Sequence, residues 1–122
     1  MEEIKIRVWD KEENRMISGD RFAFEEYAPL NDLFNNNSKR FDFMLYTGYK
    51  DINDVEIYEG DIVETTRGLN HIIGAVIYHK ASWYIQSKEG YNVRLISIFS
   101  TAENKIIGNV YENKNLLEEN YE

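Results

Sequence analysis

Glu59-Gly60-Asp61-Ile62-Val63-Glu64-Thr65-Thr66 leads through Arg67-Gly68-Leu69-Asn70 into His71-Ile72-Ile73-Gly74-Ala75-Val76-Ile77-Tyr78-His79. This stretch decides the fold. Glu59-Gly60-Asp61 is a tight turn in which glycine supplies a positive φ without steric cost. Ile62 to Thr66 reads as a strand, Arg67 to Asn70 as the next turn, and His71 to His79 as a long strand. Gly74 inside that strand suggests a bulge or a sharp bend. Strands that start or bend at glycine can coil strongly enough to close a small sheet upon itself. Downstream, Ala81-Ser82 turns the chain and Trp83-Tyr84-Ile85 pairs back. Lys88-Glu89-Gly90 turns it again towards Val93 to Phe99, and Ile106 to Tyr111 is a last strand. Leu116-Leu117 sits in a short acidic C-terminal helix or tail. Upstream, Val55 to Tyr58 alternates, and Phe41 to Tyr46 precedes Thr47-Gly48 and a polar turn over 51–54. Short strands separated by turns bearing glycine, asparagine or serine predict a mainly β protein, most economically an SH3-like small barrel.

The first forty residues read differently. Ile4, Ile6 and Val8 alternate with Lys5, Arg7 and Trp9, the pattern of a half-buried strand. After the polar turn 10–14, Arg15 to Ser18 returns, so 4–18 is expected to be a β-hairpin. Phe22, Phe24 and Tyr27 fit either a strand or a short helical turn. Pro29 favours one helical turn over 29–34, since proline suits the first helical position. Asn35-Asn36-Asn37-Ser38-Lys39-Arg40 is the most loop-like segment. Too short for an independent core, residues 1–40 are expected to be a hairpin and short-helix elaboration on a barrel core over 41–122, one domain in all.

Composition narrows the functional classes. The 122 residues carry 14 basic and 22 acidic side chains, a formal charge of −8. That disfavours a protein that coats nucleic acid or an anionic membrane with its whole surface. Cysteine is absent, which excludes disulfide scaffolds, thiolate nucleophiles and cysteine-based zinc sites. No apolar run is long enough to span a bilayer as a helix. The N-terminus is acidic and unlike a secretory signal, so the expected location is the cytoplasm.

Four blocks stand in order: Ile4-Lys5-Ile6-Arg7-Val8-Trp9-Asp10, Tyr46-Thr47-Gly48-Tyr49-Lys50-Asp51, Glu56-Ile57-Tyr58-Glu59-Gly60-Asp61-Ile62-Val63 and Ile107-Gly108-Asn109-Val110-Tyr111-Glu112-Asn113. Together they resemble the YopX family of phage and prophage proteins. The hallmark positions are Trp9, Asp10, Tyr46, Thr47, Gly48, Lys50, Asp51, Glu56, Ile57, Tyr58, Glu59, Gly60, Asp61, Ile62, Val63, Gly108, Asn109, Tyr111, Glu112 and Asn113, and the role expected for them is structural. Two departures stand out: Asn53-Asp54 replaces the family's usual Asn-Gly, and Lys114 stands where proline is common. The resemblance implies an SH3-like barrel, phage or prophage origin and self-association. It implies no activity, the family's biochemical role being unestablished.

Catalytic and metal chemistry find little purchase. Counting a calcium loop from Asp51 puts Val55 at a ligand position and Glu56 where glycine is required. The carboxylates of Asp51, Asp54, Glu56, Glu59 and Asp61 therefore read as turn residues and solvated strand faces. Asp61 is expected to accept hydrogen bonds from nearby backbone amides. His71 and His79 lie at the two ends of one strand, about 25 Å apart at strand rise. No serine sits in a Gly-x-Ser-x-Gly setting, and no dinucleotide or P-loop motif occurs. Aromatic residues make up 14% of the chain. Tyr46, Tyr49, Tyr58, Tyr78, Trp83 and Tyr84 could stack bases, but Arg67, His79, Lys80 and Lys88 read as few and scattered, so core or interface packing is preferred.

The sequence thus predicts a non-enzymatic phage or prophage accessory protein with no catalytic residues, cofactor or metal. It would work through an unidentified protein partner and as a homo-oligomer. The alternative is an accessory of nucleic-acid metabolism, either a weak single-strand binder or an acidic competitor for a DNA-binding partner. An enzyme using the 51–61 carboxylates with a divalent metal is the least favoured reading.

Overall fold

Alternation and turn chemistry produce nine strands in the computed structural model, which describes residues 5–24, 40–95 and 102–118. The chain packs as two compact units, Met1–Tyr46 and Thr47–Glu122. In the first, strand β1 (Ile6–Asp10) lies between β2 (Arg15–Ser18) and the first half of β3 (Phe41–Lys50), antiparallel to both. Val8 faces Ile17 on one side and Phe43 on the other. Ser18 ends β2 and starts helix α1 (Gly19–Phe24), its hydroxyl accepting the Arg21 amide at 3.2 Å. The helix alternative at Phe22 is the one realised. Val8, Ile17, Phe22 and Phe41 form a buried cluster with Ile6 against it, and Phe22 meets the Phe41 ring edge-on at 5.1 Å.

A buried carboxylate holds the hairpin turn of this unit. Asp10 is 0% exposed, and its Oδ1 accepts the amides of Glu12 and Glu13 at 3.0 and 3.3 Å. The same carboxylate takes a two-pronged bond from Arg40, Nε to Oδ1 at 3.0 Å and Nη2 to Oδ2 at 2.9 Å. The Arg40 carbonyl in turn accepts the Lys11 amide at 2.7 Å. Arg40 also lies 4.8 Å over the Phe41 ring, so one side chain joins the β1–β2 turn to the start of β3.

In the second unit, the remaining half of β3 pairs with β4 (Glu56–Tyr58). A five-stranded antiparallel sheet follows in the order β8-β7-β6-β5-β9. Its strands are β5 (Asp61–Arg67), β6 (Asn70–His79), β7 (Ser82–Ser87), β8 (Asn92–Arg94) and β9 (Ala102–Asn109). Ile57, Val63, Val76, Ile85 and Leu95 make the core, with Tyr49, Trp83, Val93 and Ile106 packed against it. Lys114–Leu117 form a 3-10 turn, the short C-terminal element that the leucine pair suggests.

Several boundaries differ from the sequence reading. β3 continues through Gly48, which takes φ +90, as far as Lys50. β9 starts at Ala102 and ends at Asn109, earlier at both ends. Gly74 makes no bulge, because β6 keeps continuous register with both neighbours. Glycine is needed there for proximity: a Cβ would run into the carbonyl of Gln86 on β7. The irregularity lies on β9 instead, where Ile62 faces Gly108 and Val63 faces Ile106, leaving Ile107 as the extra residue. The helical turn expected near Pro29, most of the asparagine-rich loop and the far end of the Val93–Phe99 strand lie outside the described residues.

The Asp10–Arg40 pair makes stability depend on acidity. The Arg40 guanidinium, helped by the Glu12 and Glu13 amides, holds the Asp10 carboxyl below its ordinary value against the opposing effect of burial. A carboxyl with a lowered folded-state pKa stabilises the fold above its unfolded pKa, and that contribution disappears as pH falls through the folded value. Asp10→Asn should cost about 2–4 kcal/mol at neutral pH. The gap in melting temperature between wild type and variant should narrow as pH drops below the ordinary aspartate range. A gap independent of pH would refute this account.

Candidate functional site

The hallmark residues bend, bridge and cap the chain. In the first unit Trp9 and Asp10 are buried at the end of β1, while the Tyr46 amide donates to the Lys5 carbonyl at 2.9 Å and the Lys5 ammonium lies 5.6 Å from the Tyr46 ring. The others belong to the second unit. The Thr47 hydroxyl donates to the Ile57 carbonyl at 2.8 Å and accepts the Tyr49 amide at 3.1 Å, fastening the chain on both sides of Gly48. Lys50 and Asp54 form a 3.7 Å exposed ion pair across the next turn, the kind that contributes little.

Asp51 is the centre of this site. It is 2% exposed. Oδ1 accepts the amides of Asn53 at 2.8 Å and Val55 at 3.0 Å, and Oδ2 accepts the amide of Ile106 on β9 at 3.1 Å. The neighbouring Ile52 amide donates to the Asn104 carbonyl at 2.8 Å. One carboxylate therefore shapes the turn after β3 and fastens it along the free edge of β9. Asp61 works over a shorter range, its Oδ2 accepting the Tyr58 amide at 2.8 Å, as the turn chemistry predicts. Between them Gly60 takes φ +89, donates its amide to Val76 and accepts from Val110. The Tyr58 hydroxyl meets Glu56 at 3.3 Å, and Glu59 lies half-buried in the same turn. Ile57, Ile62 and Val63 are fully buried.

The closing block repeats the device with amides. Asn109 Oδ1 accepts the backbone N–H groups of Tyr111 and Glu112, both at 2.9 Å, and its Nδ2 donates to Glu112 Oε1 at 2.8 Å. Asn113 Oδ1 accepts the Asn109 amide at 3.1 Å while its side chain lies against Gly108, where a Cβ would collide with it.

The fold keeps other candidates apart. His71 sits at one end of β6 beside Thr66 and Glu64, and His79 at the other end against the Tyr84 ring. Among the described residues, no three carboxylate or imidazole groups come together as a metal site, and no helix is long and apolar enough to cross a membrane. Sequence reasoning missed Arg40, hidden in loop-like composition, and the buried Thr65–Asn104 pair linking β5 to β9.

The pattern of the YopX protein family matches residues 5–118. The chain belongs to the YopX family. Two crystal structures share the fold. Protein EF1440 from Enterococcus faecalis is 21% identical, with a TM-score of 0.61 over 97% of this chain and 100% of that one. Protein yopX from Bacillus subtilis is 22% identical, with a TM-score of 0.62 over 93% of this chain and 98% of that one. Comparison with curated proteins gives no match.

Two sets of substitutions test the assignments. Asp51→Ala leaves three amides without their acceptor, two of them in the turn and one on β9, and should cost roughly 3 kcal/mol or more in denaturant titrations. Asp54 adopts φ +66 where YopX proteins commonly carry glycine, and Lys114 is the first residue of the 3-10 turn, where proline fits. Asp54→Gly and Lys114→Pro should each leave stability unchanged or raise it by up to about 1 kcal/mol. Destabilisation by either would show that the family geometry is not kept there.

Proposed function

We propose that this YopX-family chain is a non-enzymatic accessory protein of a phage or prophage. It acts in the cytoplasm of the bacterial host through protein–protein contacts and self-association. The observation that carries the reading is the direction of the hallmark side chains. Thr47, Asp51, Asp61, Asn109 and Asn113 all bond to the chain's own backbone, so what the family shares is a scaffold and its work falls to the surface. The scaffold is an SH3-like barrel, closed where the Asp51 turn meets the edge of β9. The partner is another protein, including further copies of this chain, and the surface aromatics are suited to such contacts.

Sedimentation equilibrium over a wide concentration range tests self-association. The expected result is a mass that rises above the 14.5 kDa chain and plateaus at a defined multiple. A monomer at every concentration would overturn it.

A further inference from the structure

The net charge of −8 conceals a division. Residues 65–102 contain one acidic side chain, Glu89, against four basic ones, Arg67, Lys80, Lys88 and Arg94. That segment carries +3, and the rest of the chain carries −11. The basic segment is the run that forms β6, β7 and β8.

Strand register places the relevant side chains on one face. Tyr84 pairs directly with Arg94, Gln86 pairs with Asn92, and His79 pairs with Ser82, two residues before Tyr84. Residues opposite one another on antiparallel strands share a face, as do residues two apart. His79, Tyr84, Gln86, Asn92 and Arg94 thus form a surface without a carboxylate. All are exposed except Tyr84, which is half-buried. The Tyr84 ring is flanked on one side by the His79 ring, centroids 6.3 Å apart, and on the other by the Arg94 guanidinium at 6.0 Å. Lys80 stands at the tip of the same hairpin. It and Ala81 both adopt left-handed backbone, φ 49 and 66, a conformation that costs a non-glycine residue free energy.

These cations are not committed elsewhere. Among the described residues, neither Lys80 nor Arg94 has a carboxylate within ion-pair distance. Among the described residues, Arg67 donates to the Thr65 hydroxyl and to the Arg94 carbonyl, which ties it to the end of β8.

We infer that the β6–β8 face centred on Tyr84 binds single-stranded nucleic acid, with a base stacked on the tyrosine ring and phosphates met by Arg94 and Lys80. A stacking ring beside cations is the arrangement that such strands require, and every base offers a π-face. Gln86 and Asn92 supply amides that can donate to phosphate or base oxygens. The stacking ring selects the form of the ligand. A flexible single strand can follow the basic strip and offer an unpaired base to Tyr84, whereas a duplex keeps its bases stacked on one another. The inference is independent of self-association.

Fluorescence anisotropy with a labelled oligothymidylate of about a dozen nucleotides tests it on the full chain. Saturable binding that weakens as salt rises is expected, with the same strand in duplex bound at least about tenfold more weakly. Lys80→Glu combined with Arg94→Glu, both exposed, should reduce affinity about tenfold or more while leaving the melting curve in place. Tyr84→Phe should bind as wild type, and Tyr84→Ala about tenfold more weakly. If Tyr84→Ala unfolds, the charge-reversal variant decides. No binding at low salt, or binding untouched by charge reversal, would overturn the assignment. So would equal displacement of the strand by polyglutamate of matched charge, which would mark a site for any polyanion.

Discussion

The second unit depends on one buried carboxylate. A strongly coiled sheet leaves the amides of its last strand exposed at an edge, and an exposed edge invites pairing with other chains. Asp51 removes part of that edge by accepting the Ile106 amide while holding its own turn through Asn53 and Val55. A side chain that accepts three backbone donors recovers much of the cost of its own burial. The position of Asn104, the course of β9 and the sheltering of Ile106 against the core all follow from that arrangement.

The same solution recurs at smaller scale. Asp10, Asp61, Asn109 and Asn113 are short side chains whose oxygens stand in for backbone carbonyls at places where strand pairing stops. Such residues suit turns because they can bond to amides a few positions along the chain. A motif built from them is a record of how the chain turns. Asp51 and Asp61 resemble catalytic carboxylates in type, yet both accept hydrogen bonds from backbone amides of the fold.

What could be read from the sequence follows the range of the interaction. The β5 and β6 strands announce themselves through glycine-bearing turns and apolar runs, and the Asp61 bond spans three residues, within reach of local turn rules. The Asp51–Ile106 bond spans 55 residues and the Arg40–Asp10 bond 30, and no local pattern encodes either. The start of β9 was hidden for a different reason. Ala102-Glu103-Asn104-Lys105 is polar, yet it pairs with β5 by setting Lys105 opposite Glu64 and burying Asn104 opposite Thr65. Gly74 shows a third kind of limit: its presence was a clear signal, but bending and close approach ask for the same residue, and only the position of the Gln86 carbonyl separates them. The surface face around Tyr84 was obscured because its basic residues are dispersed along the chain and are gathered only by strand register.

The 55-residue span between Asp51 and Ile106 also sets an order of events during synthesis. At ribosomal rates of about 5–20 residues per second, the carboxylate exists for roughly three to eleven seconds before its distal partner is made. Through that interval the carboxylate holds just the Asn53 and Val55 amides of its own turn, while the β5–β6–β7 hairpins, whose contacts are local, can already pair. Pairing of β9 with β5 is therefore a late step, possible only once residues 102–109 have been made. A nascent chain stalled before residue 102 would carry an open edge on β5, the very surface that the finished protein covers.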